Sequence, residues 1–246
     1  MINQLHLDSI GPDRNDLYSK VKPSKLIMIG KPGTGKSFAI KSILYHFRHT
    51  INHGIILSAT EDTNASYAGI FPDAFIYNSY TETPIKNLIA MQKKAIKARV
   101  KNPWTILIID DCAYDKKFYT TEIQQQLFKN SRHWYILYIL AIQYPRDIPP
   151  VIRSTIDGIF IFREHNMTTR RIIYENYASV IPSYNLFIKI LDKYTCKYGV
   201  LYIDNMTSKE EWIDSIAQFR AEDQDDDDYW VFGSEEFQAY ADTELL

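Results

Sequence analysis

Gly30-Lys31-Pro32-Gly33-Thr34-Gly35-Lys36-Ser37 is the stretch on which the reading of this chain turns. It fits the phosphate-binding pattern G-x-x-x-x-G-K-[ST] without a mismatch. Leu26-Ile27-Met28-Ile29 supplies an apolar strand before it, and Phe38 to Phe47 supplies a helix after it. That context is what phosphate binding needs. Gly33 and Gly35 let successive backbone N–H groups turn inward, and the helix N-terminus adds partial positive charge. On this reading Gly30 to Ser37 cradle the phosphates of ATP, Lys36 reaches the β- and γ-phosphates, and the Ser37 hydroxyl ligates Mg²⁺.

The second decisive stretch is Trp104-Thr105-Ile106-Leu107-Ile108-Ile109-Asp110-Asp111, an apolar strand that ends in two adjacent carboxylates. Two such charges at one strand end repel each other unless a cation lies beside them. Asp110 is expected in the Mg²⁺ shell and Asp111 as the group that orients and deprotonates an attacking water. Gln143 follows a further apolar strand, Tyr135–Ile142. Ligands of parallel sheets gather at the C-terminal strand ends, so Gln143 is expected beside the γ-phosphate as a sensor. Cys112 has no base near it in sequence and reads as a small buried residue.

Around these motifs, strand-length apolar runs alternate with helical patterns, the mark of βαβ units on a mainly parallel sheet. Strands are expected at 26–30, 54–58, 74–77, 104–110, 135–142, 158–163 and 200–204. Helices are expected at 35–49, 84–100, 117–130, 168–178, 183–195 and 208–220. The fold class is therefore α/β: a P-loop NTPase with helices flanking a mainly parallel sheet. The expected division is an N-terminal extension (1–23), the P-loop domain (24–205), a C-terminal helix (206–220) and an acidic, aromatic tail (221–246).

The 246 residues hold 28 basic and 30 acidic side chains, a net charge of −2, but the balance is uneven. Ten of the acidic residues and none of the basic ones lie after Arg220, which leaves residues 1–220 at +8. The body thus has the sign of a DNA handler and the tail the sign of a DNA mimic. Tyr229, Trp230, Val231, Phe232 and Phe237 are unusual in an inert tail, so a docking segment competes with a solvated end. Two cysteines, Cys112 and Cys196, cannot form a disulfide framework or a zinc site, and a reducing compartment is expected. No secretory signal is visible at the N-terminus. The longest apolar run, Trp134 to Ile142, is about half of what a membrane-spanning helix needs.

The ordered set Gly30–Ser37, Ile106–Asp111, Asn130-Ser131-Arg132-His133 and Gln143-Tyr144-Pro145 through Pro149 to Arg153 resembles the HerA/FtsK superfamily of DNA-pumping ATPases. It is most similar to the genome-packaging ATPases of poxviruses and other nucleocytoplasmic large DNA viruses. The resemblance covers roughly residues 24–205. Asp at position 111, rather than Glu, departs from the bacterial translocases and matches the viral branch. The resemblance implies a RecA-like fold assembled as a homo-oligomeric ring, pentamer or hexamer, that threads double-stranded DNA into a capsid, docks on a capsid or vertex protein, and works in the virion or at a viral assembly site in the host cytoplasm. It also implies an arginine acting on the neighbouring subunit's site, for which Arg132 and Arg153 compete.

DNA contact is expected from Lys93, Lys97 and Lys101, spaced i, i+4, i+8, with Lys94 beside them. The polar segment Asp62 to Gly69 is a second candidate, as a pore loop. Two other readings compete: a P-loop nucleotide kinase, which would not need the carboxylate pair, and a nucleotide-gated assembly scaffold. A GTPase is disfavoured because no Asn-Lys-x-Asp sequence occurs.

Overall fold

The computed structural model describes residues 2–113, 116–222 and 229–241. Nine strands form one sheet: β1 (Asn3–Gln4), β2 (Lys25–Ile29), β3 (Gly54–Ser58), β4 (Ile76–Tyr77), β5 (Thr105–Asp110), β6 (Ile136–Ile142), β7 (Gly158–Ile161), β8 (Val200–Asp204) and β9 (Ile216–Phe219). Their order across the sheet is β1-β9-β8-β7-β2-β6-β5-β3-β4. From β7 to β4 every neighbouring pair is parallel. β8 runs antiparallel to both β7 and β9, and β1 lies parallel to β9.

Burial on both faces explains why the central strands are apolar throughout. Side chains alternate sides along a strand. In β5, Leu107 and Ile109 enter the core with Ile85, Leu88, Phe128 and Phe187, while Ile106 and Ile108 enter the opposite core with Ile40, Leu44 and Phe47. The first core is roofed by α3 (Glu82–Ala98), α4 (Glu122–Asn130), α6 (Met167–Tyr177) and α7 (Tyr184–Tyr194); the second by α1 (Lys36–Phe47). Two one-turn helices, α2 (Glu61–Asn64) and α5 (Pro150–Arg153), lie in the connections, and α8 (Glu235–Gln238) closes the described chain's last stretch.

Two expectations at the ends of the chain are corrected. The helix expected at 206–220 is a short 3₁₀ turn, Trp212–Ser215, followed by β9. Four residues of β9 pair with β8 from Ile203↔Ile216 to Val200↔Phe219, and this long-range pairing overrides the local pattern. The N-terminal segment is not an appendage: β1 forms the sheet edge, Leu5 donates its N–H to Gln218 O at 2.7 Å, and Ile10 is fully buried.

The aromatic part of the tail docks on its own chain. Phe232, wholly buried, stacks on Phe71 at 5.3 Å, and Phe237 stacks on Phe75 at 4.8 Å. Phe232 N–H donates to Ile70 O at 2.8 Å and Ser234 N–H to Asn52 O at 2.9 Å. The acidic run Asp223–Asp228 lies outside the described residues.

Candidate active site

The turn between β2 and α1 is built from two left-handed glycines, Gly33 at φ +74° and Gly35 at φ +97°. Gly35 is the N-cap of α1, so the free amides of the helix start open into a cleft of about 700 Å³. Lys36 is buried, and its amine donates to Gly30 O at 2.8 Å and lies 3.5 Å from Asp111 Oδ2. Ser37 Oγ donates to Asp110 Oδ2 at 3.3 Å. The sheet order explains how these groups meet. β6 separates the P-loop strand β2 from β5, and its register sets Ala141 opposite Asp110. Gln143, one residue past β6, therefore opens into the same cleft as Lys36, Ser37 and Asp111.

Asp110 is almost wholly buried. Burial raises its carboxyl above the ordinary aspartate range, the neighbouring Asp111 charge pushes the same way, and Tyr67 and Lys36 oppose them. Its Oδ2 accepts from Tyr67 OH at 2.8 Å. Asp110 Oδ1 and Asp111 Oδ1 are buried and have no hydrogen-bond partner among the described residues. Asp111 is held at φ +52°, a left-handed conformation unusual for a residue other than glycine, and its N–H donates to Ala141 O at 3.2 Å. Two unpartnered buried carboxylate oxygens beside a serine hydroxyl suit a hard cation that prefers oxygen ligands. Among the described residues no group of three or more His, Cys, Asp and Glu forms a complete cage. A divalent ion held there would complete its shell with phosphate and water, as Mg²⁺ does. Burial pushes the Cys112 thiol up to about 12, which disfavours the thiolate and agrees with a small packed residue.

Tyr67 was not singled out by the sequence. It sits in the polar segment expected as a pore loop, and the structure folds that segment back over the carboxylates. Glu61 accepts the backbone N–H groups of Ser66, Tyr67 and Ala68, which wraps the loop and sets Tyr67 against Asp110. Lys197, Tyr198 and Arg220 also line the cleft and also carry no motif.

Arg132 and Arg153 lie elsewhere. Arg132 precedes β6 and Arg153 precedes β7, so both stand at the edge where the parallel strands begin, opposite the P-loop. Arg132 pairs with buried Asp157, whose Oδ2 also accepts the N–H groups of Ser24 and Lys25 at 3.0 Å. Lys25 Nζ is 3.3 Å from Asp157 Oδ1. Arg153 donates to Ile148 O at 3.1 Å and faces the Tyr177 ring. Neither can reach the cleft of its own chain. Lys93, Lys94 and Lys97 are exposed on α3, and Lys93 lies over the Trp134 ring. α3 ends at Ala98, with Arg99 capping it at φ +51°, so Lys101 falls beyond the helix and the expected stripe is one residue shorter.

The model of the poxvirus A32 protein family matches residues 13–218. The chain belongs to this family. Uncharacterized protein 075L of Invertebrate iridescent virus 6 is 44% identical over 225 residues, 91% of this chain and 87% of that protein. Uncharacterized protein 088R of Invertebrate iridescent virus 3 is 40% identical over 97% of this chain and 92% of its own length. Among solved structures, the genome packaging NTPase B204 of Sulfolobus turreted icosahedral virus 2, in complex with AMP, shares the fold. The TM-score is 0.60 at 18% identity, over 81% of this chain and 98% of that one. The family membership and the α/β fold agree with the resemblance drawn from the motifs. No helix among the described residues is long and apolar enough to cross a membrane.

Proposed function

We propose that this A32-family protein is an ATP-hydrolysing motor that moves double-stranded viral DNA into a capsid. The observation that carries the reading is the adjacent pair Asp110 and Asp111, whose Oδ2 atoms meet Ser37 and Lys36 of the P-loop while their buried Oδ1 atoms have no partner among the described residues. Gly30 to Ser37 hold the triphosphate through backbone N–H groups and the start of α1. Lys36 leaves its carbonyl contacts and Asp111 to meet the β- and γ-phosphate oxygens, where charge develops in the transition state. Ser37 and Asp110 would hold Mg²⁺, which when bound neutralises charge on those phosphates. Asp111 orients the attacking water and accepts its proton; Gln143 hydrogen-bonds the water or the γ-phosphate.

Hydrolysis needs no phosphate acceptor other than water, which distinguishes this reading from a nucleotide kinase. A ring of five or six copies would let Arg132 or Arg153 of one subunit face the next subunit's cleft. Both stand at the far edge of their own sheet, so either would act on a neighbouring copy's cleft rather than its own. Lys93, Lys94 and Lys97 on α3, with Lys101 in the segment that follows it, would contact the DNA backbone without reading sequence. A capsid or vertex protein is the expected docking partner, and the viral assembly site in the host cytoplasm, or the virion, the expected location. The test is ATP turnover by the assembled protein with and without long duplex DNA, with product analysis. Inorganic phosphate released faster in the presence of DNA supports the motor, a phosphorylated nucleoside the kinase. Slow turnover indifferent to DNA, with nucleotide-dependent assembly, would indicate a scaffold.

A further inference from the structure

β8 runs antiparallel to β7, so its start lies at the same sheet edge as the ends of β2, β5 and β6. β9 reverses again, so its end returns to that edge. Topology thus brings two unmotivated segments to the P-loop: the turn before β8 and the residues after β9. They arrive on the side of β2 away from Asp111 and Gln143, because the order is β9-β8-β7-β2-β6-β5. Two strand spacings, about 10 Å, separate β2 from β8.

The turn before β8 is tightly specified. Lys197 and Tyr198 both adopt left-handed backbone, at φ +50° and +59°. At Gly199 any side chain is excluded, since a Cβ there would stand 2.3 Å from Tyr194 O. This costly geometry projects Tyr198 outward, 75% exposed, with its ring beside the N-cap of α1: a Cβ on Gly35 would lie 3.6 Å from Tyr198 Cδ1. The same cleft is lined by half-exposed Phe38 and by Val200, Ala221 and Arg220. The cleft is therefore unequal along its length. Towards β6 and β5 it offers a lysine, hydroxyl, carboxylate and amide; towards β8 and β9 it offers aromatic and aliphatic surface with a guanidinium.

We propose that Tyr198 is the platform on which the nucleobase of the bound nucleotide stacks, with Arg220 beside it. This rests on the reading of the cleft as a nucleotide site and adds what that reading leaves open, namely what holds the base. Every base has a π-face, so an aromatic platform recognises a nucleoside without needing to read its edge. Arg220 can add a cation over the base or a donor to the ribose. The ligand class is thus a nucleoside polyphosphate rather than bare polyphosphate. It is gripped at two places on opposite sides of β2.

Calorimetric titration of the full chain in Mg²⁺ buffer with ADP, and separately with inorganic tripolyphosphate, separates the two grips. Tyr198→Ala is expected to weaken ADP by about tenfold, while tripolyphosphate affinity stays within about twofold of wild type; Tyr198→Phe keeps the ring and should retain ADP affinity. Lys36→Ala should weaken both probes. ADP affinity unchanged in Tyr198→Ala overturns the proposal, as does an equal loss of both probes, which would make the turn a mere support for the P-loop. If the wild-type chain binds tripolyphosphate but ADP no more tightly, the base platform fails and the phosphate site stands. If it binds neither, the nucleotide reading itself fails, and the platform with it.

Discussion

At the edge where the parallel strands begin, Asp157 accepts two backbone N–H groups and pairs with both Lys25 and Arg132. At the edge where they end, Asp110 and Asp111 each keep one buried oxygen without a partner among the described residues. Both edges hold buried carboxylates beside basic side chains, and both open into clefts of similar size, about 670 and 700 Å³. The difference is completeness. A carboxylate whose lone pairs are satisfied within the chain serves the fold, whereas two adjacent carboxylates left short of donors cost stability that only a ligand can recover.

The two edges should respond in opposite ways to the same Asp→Asn change. Asp157→Asn should destabilise the protein by about 3–5 kcal/mol, because Lys25 and Arg132 lose their buried counter-charge; denaturant melts at neutral pH measure this. Lys36→Ala, at the other edge, should lower ATP turnover by about 10²–10³-fold and also lower the melting midpoint, because Asp110 and Asp111 lose the buried cation beside them. Tyr67→Phe removes the hydroxyl that orients Asp110; it should raise the Mg²⁺ concentration for half-maximal turnover by about tenfold and cost about 1–3 kcal/mol of stability. Asp110→Asn should do the reverse of Asp157→Asn and stabilise the metal-free protein by about 1 kcal/mol. Its sign follows from linkage. Burial holds the Asp110 carboxyl above its ordinary value, so its favourable contribution exists at low pH and is lost as pH rises through the folded-state value. The gain from Asn is therefore expected at neutral pH, and the two proteins converge in acid.

The smallest expected effect concerns the acidic run. Truncation after Arg220 would also strip Phe232 and Phe237 from Phe71 and Phe75, so it confounds charge with packing. Replacing Asp225, Asp226, Asp227 and Asp228 by Asn isolates charge. DNA affinity at low salt should rise a few-fold, by about 1 kcal/mol or less, and the gain should fade as salt is added.

What the sequence disclosed and what it hid divide along the range of the interactions. The P-loop, Asp110-Asp111 and the five central strands were legible because each is specified by its own residues: local turn geometry, or burial on both faces. β9 and β1 were not, because neither carries an apolar run of its own and each is a strand only through the partner it pairs with. Tyr67 reaches Asp110 across 43 positions, and the Arg132–Asp157 pair spans 25; no local pattern announces either. Tyr198 was hidden for a further reason. Its place in the cleft depends on β8 running against its neighbours, a topological fact that composition does not carry. The aromatic residues of the tail did signal docking, and their acceptor proved to be the loop around Phe71 that also carries Tyr67. The C-terminal segment thereby braces the lining of the cleft.

In the proposed function, Asp110 and Asp111 serve hydrolysis coupled to DNA. ATP turnover by the full chain, measured against added long duplex DNA for wild type and Asp111→Asn, tests it most directly. Phosphate release is expected to rise with DNA in the wild type, and to fall by about 10²-fold or more in the variant with its fold intact. Turnover indifferent to DNA, together with an Asp111→Asn variant as active as wild type, would contradict it.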